Sequence, residues 1–490
     1  MSNLSSIAHY IPELILVVLI LSVIVFDLVP SLKELKFPIT FTGLGLVAVA
    51  LFFSHGSKAS IFMDLIVVDP FSHFFKWIFV FATFSILLIS RYSVEVEEEN
   101  HVEYISLMLM ILLGLFLMAS SVNLLMIYLA VELVSIPSYI LAGMKKNDRA
   151  SNEASLKYVI FGSFASGLML FGLSWLYGVS GSTNIAEIHT ALLTNGNPFL
   201  VYISLLLIIV GFGYKISMAP FHYWTPDVYE GSPTPVTAFF SIGPKAAGFA
   251  ILIRVIYSLF TQEGGLDATT SLYGVNWTLI FAVLAAITMT IGNFLALHQE
   301  NVKRLLAFSS ISHVGFMLIG FAVIGTEALT AVLLYIVIYF FMTLSAFYIA
   351  IFVKNKLDTD TIDGWKGLAN RNPFIAAFMV ISLVSLAGLP PTAGFVGKFY
   401  LLAILFRAET FYWLAVVAIL NSVVSLYYYF KIVKSMYFLN DGDEVTSEPL
   451  VANPYIKWTA VLFSAQTLLF YFYWTPLIEF INRSLSFWNS

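Results

Sequence analysis

The chain contains no cysteine. Disulfides, thiolate metal sites and cysteine-held iron–sulfur clusters are therefore excluded within it. Charge is scarce as well: Asp, Glu, Lys and Arg make up 11% of 490 residues, against 59% hydrophobic residues. So little polar surface cannot coat the roughly three soluble domains that the length alone would suggest. No Gly-x-Gly-x-x-Gly or Walker pattern occurs, so no nucleotide cradle is expected. The formal net charge of −5 is spread over many loops, which argues against a nucleic-acid partner.

Long hydrophobic runs take the place of all this. Mean hydropathy is +0.89, and stretches of about 18 or more residues with few charges recur along the chain, as spanning helices require. Fourteen apolar segments stand out: 10–29, 38–54, 71–90, 104–120, 122–143, 157–178, 199–219, 236–260, 274–297, 304–325, 328–353, 373–405, 410–437 and 456–479. The expected fold is an all-α integral membrane protein with about fourteen transmembrane helices. The first run lacks a basic flank and is read as a retained helix, not a signal peptide. Lys and Arg crowd one set of alternate loops, among them Lys33, Lys36, Arg91, Lys145, Lys146, Lys303, Arg304 and Lys431. The opposite set holds little beyond Lys58, Arg407 and Arg483. The first set should face the cytoplasm, with both termini outside. Lys76, inside the third segment, is expected to snorkel outward. The run "VEVEEEN", with Glu95, Glu97, Glu98 and Glu99, reads as a solvated loop.

Two segments share a peculiarity. The seventh carries Lys215 five residues before Pro220; the twelfth breaks at Pro390–Pro391 and carries Lys398 just after. They lie five segments apart. A five-helix repeat has an odd count, so its second copy must be inverted, and interrupted helices at matching positions are the pointer to inverted repeats. The repeats are expected over helices 4–8 and 9–13, with helices 7 and 12 broken. The corresponding divisions are residues 1–100 (three N-terminal helices), 101–265 (first repeat), 270–438 (second repeat) and 439–490 (cytoplasmic loop and last helix).

An ionisable group in mid-span costs about 2.5–3.5 kcal/mol on insertion scales and marks an ion pathway by default. The set here is Glu132, Lys157, Lys215, Lys245, His313 and Lys398. Burial disfavours a charged ammonium and a nearby carboxylate favours it, so a Glu–Lys pair that opens and closes can release and recapture a proton. A proline break frees backbone groups that need water, which a proton also needs. The competing readings are structural. Lys215, Lys245 and Lys398 could snorkel or bind a carbonyl end, Lys157 could pair with Glu153 at the surface, and His313 could be a satisfied interior histidine.

The stretch "YKISMAPFHYWTPDVYEGSPTPVTAFFSIGPKAAGFA" resembles the hallmark of the antiporter-like subunits of respiratory complex I. The general pattern, P-x-H-x-W-x-P followed by a Pro-Thr-Pro-Val-like stretch and a lysine or histidine, falls here on Pro220, His222, Trp224, Pro226, Pro233, Pro235 and Lys245. The "PDVYEG" form resembles the subunit N branch, which includes mitochondrial subunit 2. "AVELVSIPSYILAG", "EASLKYVIFGSFASG", "HQENVKRLLAFSSISHVGFM" and "SLAGLPPTAGFVGKFYL" extend the resemblance from about 105 to 430.

The resemblance implies a division of labour. Glu132 on helix 5 pairs with Lys215 on helix 7, Lys245 on helix 8 links two half-channels, and Lys398 on the broken helix 12 serves the exit. Lys157 and His313 match positions of less defined role. It further implies a proton-pumping subunit of NADH-quinone oxidoreductase, a translocase, in the bacterial inner membrane with periplasmic termini. NAD, FMN, iron–sulfur clusters and quinone would be bound by other subunits, with none in this chain. Expected partners are the other membrane and peripheral subunits, including sister antiporter-like ones, and the lipid bilayer. Two alternatives remain: a subunit of a multisubunit cation/proton antiporter or membrane-bound hydrogenase, and a scaffold whose buried charges only hold an assembly together.

Overall fold

The computed structural model describes residues 3–54, 56–195, 197–260, 271–272, 275–438 and 448–485. The repeat boundary expected at 265–270 lies outside the described residues, as do 439–447 and 486–490 of the expected last unit. The chain is a helical bundle. Its principal helices are α1 (Ile11–Leu28), α2 (Lys36–Phe53), α3 (Pro70–Ser90), α4 (His101–Ser120), α5 (Leu124–Ala142) and α6 (Arg149–Ser180). Next come α7 (Pro198–Ile216), α8 (Trp224–Gly231), α9 (Thr234–Phe240), α10 (Gly243–Phe260), α11 (Trp277–Ala296) and α12 (Val302–Val323). The last are α13 (Thr326–Leu357), α14 (Pro373–Ala387), α15 (Ala393–Arg407), α16 (Tyr412–Phe438), α17 (Pro454–Phe472) and α18 (Thr475–Leu485). A short antiparallel hairpin, β1 (Ala59–Ile61) with β2 (Ile66–Val68), links α2 to α3.

Helix starts follow from local chemistry. The side chains of Asn197, Asn372 and Asn453 each accept a first-turn N–H, and proline follows each of them, where its missing donor is no loss. Asp69 and Ser72 close a reciprocal capping box ahead of α3. Asp148 caps α6 through Ala150. That cap explains why α6 begins well before the apolar run expected from 157: its first turns are polar but helical.

Among the described residues, 12 helices are long and apolar enough to cross a membrane, or 13 if α17 and α18, bent by 89° at their junction, count as one span. The expected twelfth segment is two helices of 15 residues each, α14 and α15, separated by the Gly388–Thr392 break, so neither qualifies alone. The expected last segment also divides. Pro476 starts α18, whose apolar residues Leu477, Ile478, Phe480 and Ile481 alternate with Glu479, Asn482 and Arg483 at helical spacing. Such a helix suits an interface, lying along a membrane surface. The α9–α10 pair, α12 and α13 form the buried centre, while α1, α2 and α6 keep large exposed apolar faces.

Two charge expectations are corrected. Lys76 does not snorkel: its Nζ lies 2.6 Å from Glu13 Oε1, with both side chains 1% exposed. Glu95 is not solvated. It is buried, accepts the Thr234 N–H at 2.8 Å, and pairs with Lys145 at 3.3 Å. Lys303 stands 3.9 Å away. Burial pushes the Glu95 carboxyl up, but the Lys303 charge, the Thr234 donor and Lys145 outweigh it and hold the group below its usual value of 4.5. With a depressed folded-state pKa, its stabilising contribution is fully present above the unfolded value and disappears as pH falls through the folded one. Thermal unfolding of the purified protein across that acid range should therefore show a steeper loss for the native chain than for Glu95→Gln. Above the range, the variant should be the less stable of the two.

Candidate proton relay

Each interrupted helix ends its first half in a left-handed cap: Ser217 (φ 65°) closes α7 and Gly388 (φ 83°) closes α14. Only glycine suits the second position fully. A Cβ there would also strike Lys398 Cδ at 2.6 Å. The lysine folds over this gap, and Lys398 Nζ donates to the carbonyl of Ala387 at 2.9 Å. An ammonium at the negative end of a half-helix is electrostatically favoured. Lys215 likewise stands in the last turn of α7.

The sequence-predicted residues form a connected series. Lys215 Nζ donates to Ser135 Oγ at 3.0 Å. Ser135 lies one turn beyond Glu132 on α5, so this serine, and not the expected glutamate, is the group bonded to Lys215. The Glu132 Oε1 atom is buried with no hydrogen-bond partner. The stem of Lys215 packs against Gly248 of α10, where an added Cβ would lie 3.5 Å from Lys215 Cγ. One turn back on α10, Lys245 Nζ donates to Ser310 Oγ of α12 at 2.6 Å and lies 5.4 Å from the centre of the Tyr229 ring. A cavity of about 10 Å³ lined by Lys245 and Tyr339 adjoins it, room for about one water. The Tyr339 hydroxyl is buried and unpartnered.

His313 follows Ser310 by one turn. Its Nδ1 is 2.7 Å from the Tyr335 hydroxyl and its Nε2 is 3.2 Å from that of Tyr429, which also bonds Ser309. One turn further on, the Phe316 ring lies 4.6 Å below Lys398 Nζ. Lys215, Lys245, His313 and Lys398 are 4%, 3%, 2% and 5% exposed, so none faces lipid. Glu132, Lys215, Lys245, His313 and Lys398 thus come together across α5, α7, α10, α12 and α15.

Lys157 does not join them. It is 35% exposed and pairs with Glu153 at 2.7 Å and Asp227 at 2.6 Å. Arg304 of α12 closes the network onto Asp227 at 2.6 Å and Glu230 at 2.7 Å. The acids of "PDVYEG" therefore clamp α6 and α12 to α8. Asp227 is held below the usual carboxylate range: burial raises it, but the bonds from Lys157 and Arg304 outweigh that. Ahead of it, Trp224 stacks on Tyr158 at 4.5 Å and donates from Nε1 to the Tyr214 carbonyl at 3.0 Å. The motif fixes the chain beyond the α7 break.

Several partners had not been singled out from sequence: Ser135, Ser310, Tyr335 and Tyr429. Hydroxyls scattered through apolar runs carry no periodic signal. The one available clue was that Ser309, Ser310 and His313 sit at i, i+1 and i+4 of one helix, with i+3 and i+4 spacing sharing a face.

An apolar bundle with two interrupted helices and a line of interior lysines has the architecture of an antiporter-type membrane protein. Accordingly, the family model described as NADH:quinone oxidoreductase/Mrp antiporter, TM, matches residues 121–425, more than half of the chain. A relative from Sorangium cellulosum named NADH-quinone oxidoreductase subunit N 2 is 43% identical over 510 residues, covering 99% of this chain and 98% of the relative. One of the same name from Chloroherpeton thalassium is 42% identical over 487 residues, covering 97% and 94%. Among solved structures, respiratory complex I from Thermus thermophilus with bound aureothin contains a chain that matches with TM-score 0.78 and 29% identity, over 96% of this chain and 98% of that one. The chain belongs to the NADH-quinone oxidoreductase subunit N family.

Proposed function

We propose that this chain is the proton-translocating subunit N of an NADH-quinone oxidoreductase, a translocase whose redox chemistry takes place in other subunits. Those subunits would carry NAD, FMN, iron–sulfur clusters and quinone, and sister antiporter-like subunits would flank this one in the bacterial inner membrane. The single observation that carries the reading is that Lys215, Lys245, His313 and Lys398 are all buried along the centre of the bundle, with both end lysines at helix breaks.

The roles follow from position. Glu132 holds Lys215 charged while the two stay close; separating them favours release of the ammonium proton. Lys245 receives that proton and hands it on through Ser310 towards His313, one turn further along α12. Lys398 holds it at the second break until release. Moving one charge against the potential takes about 2.3 kcal/mol per 100 mV, equivalent to under two units of pKa change. Fourteen crossings, with α14 and α15 as one interrupted span, keep both termini on one side, and the Lys and Arg bias of the loops makes that side the periplasm. Residues 101–265 and 270–438 are then inverted repeats, preceded by the three-helix unit 1–100 and followed by 439–490. The left-handed caps and lysines at both breaks support that symmetry.

The test is Lys215→Ala in the whole purified complex, reconstituted into vesicles with acidification measured during NADH oxidation. Loss of proton transfer with the complex still assembled is expected. Undiminished pumping would favour the scaffold reading.

A further inference from the structure

Two adjoining cavities on the face formed by α3, α13 and α18 share three side chains, Phe74, Trp77 and Phe480. The first, of about 260 Å³, is also lined by Lys58, His73 and Arg483. The second, of about 180 Å³, is otherwise lined by Ile78 and Phe81 of α3, Val337, Phe340 and Phe341 of α13, and Leu477 of α18. Among the described residues, no carboxylate lines either cavity.

Helical periodicity builds this groove. Phe74, Trp77, Ile78 and Phe81 recur at i, i+3, i+4 and i+7 of α3, which places them on one face. From Phe74 to Phe81 that face climbs about 10 Å, roughly two-thirds of the hydrocarbon depth of one leaflet. Leu477, Phe480 and Ser484 repeat the spacing on α18, which turns 89° from α17 and packs on both α3 and α13. The Phe74 and Phe480 rings meet at 5.8 Å, while Phe81 and Phe480 keep exposed surface.

Charge sits at one end only. Lys58 and Arg483 are among the few cations on the side opposite the Lys- and Arg-rich loops, and they come from opposite ends of the chain. His73 adds wall rather than charge: its Nδ1 is 2.9 Å from the Asp69 carbonyl and its Nε2 is 3.0 Å from Ser54 Oγ. The Asp69 carboxylate is taken up by Arg254. Trp77 stands where the two cavities join, and an indole suits the headgroup level of a bilayer.

A free anion would need only the cations, and a partner helix only the apolar wall. An anionic phospholipid needs both, with the cations at the surface and the apolar wall below them. We propose that the composite groove binds one anionic phospholipid, its phosphate against Lys58 and Arg483 and an acyl chain along Trp77, Phe81 and Phe341. The groove lies outside the candidate relay, and its test reads lipid contact directly, whatever the fate of pumping.

The whole complex would be placed in phosphatidylcholine vesicles carrying a trace of phosphatidylglycerol with a photoactivatable acyl chain, illuminated, and mapped by peptide mass spectrometry. Residues 74–81 and 337–341 should be labelled at least about fivefold more than by the same amount of a phosphatidylcholine probe, the factor contributed by one lysine near a membrane surface. Lys58→Gln/Arg483→Gln should fall to the phosphatidylcholine level. Both side chains are exposed, so their replacement leaves the fold intact. Unlabelled phosphatidylglycerol should compete, and inorganic phosphate should not. Equal labelling by the two probes would mark ordinary boundary lipid, and no labelling would mark a face covered by another subunit. Unchanged labelling in the double variant would place the headgroup elsewhere, and competition by phosphate would mark a free-anion pocket. Each of these results overturns the proposal.

Discussion

Methionine at position 245 is expected to cut proton transfer by about 10²-fold, the loss typical of removing one positioned acid–base group, while the complex still assembles. Lys245 is the buried lysine between the two helix breaks. It sits one turn from the Gly248 contact with Lys215 and bonds the helix that presents His313. Methionine fills nearly the same volume, and volume-conserving changes in a core usually cost less than about 1.5 kcal/mol. No orphan charge remains, because the partner is a hydroxyl: Ser310 Oγ still donates to the Ala307 carbonyl at 2.7 Å. The variant therefore separates transfer from folding. Acidification of vesicles carrying the whole complex is the measurement, with the recovered amount of each subunit as the assembly control. Native proton transfer in Lys245→Met would break the proposed line at its centre.

That prediction was legible in the sequence because a mid-span lysine is expensive and therefore rare. Prolines marked the two breaks for an equally local reason, since proline cannot continue a helix's hydrogen bonding. What stayed hidden were the partners. Glu95 looked like one acid in a solvated run, yet Lys145, Thr234 and Lys303 reach it from about 50, 140 and 210 residues away. Only the packed bundle brings them together. Glu13 and Lys76 each stood in an apolar segment with opposite charge, a pairing signal that single-segment reading passes over. Tyr335 and Tyr429 were indistinguishable from packing aromatics until their hydroxyls met His313. Lys157 stands apart from the other candidate residues for the converse reason. Its helix begins earlier than hydropathy suggests, so the residue lies near a polar rim, where Glu153 and Asp227 are within reach.

The largest effect on stability is expected at Arg254. Its Nη1 and Nη2 bond both oxygens of Asp69 at 2.9 Å, and its Nε donates to the Ala119 carbonyl at the end of α4 at 2.8 Å. Asp69 in turn caps α3 through the Ser72 N–H at 2.7 Å. One guanidinium thus ties α10, α4 and the start of α3, with Asp69 fully buried. Arg254→Met would leave that carboxylate unpaired, at a cost of about 3–5 kcal/mol, a large share of the roughly 5–15 kcal/mol that holds a typical domain folded. Loss of the assembled subunit from membranes is the expected result. Arg254→Lys should rescue it only in part, since a point ammonium cannot reproduce the paired bonds. Asp69→Asn/Arg254→Met should recover far more. The amide removes the buried charge yet still caps α3, so the double variant must exceed the single one in recovered complex if charge, and not side-chain volume, is what Arg254 supplies.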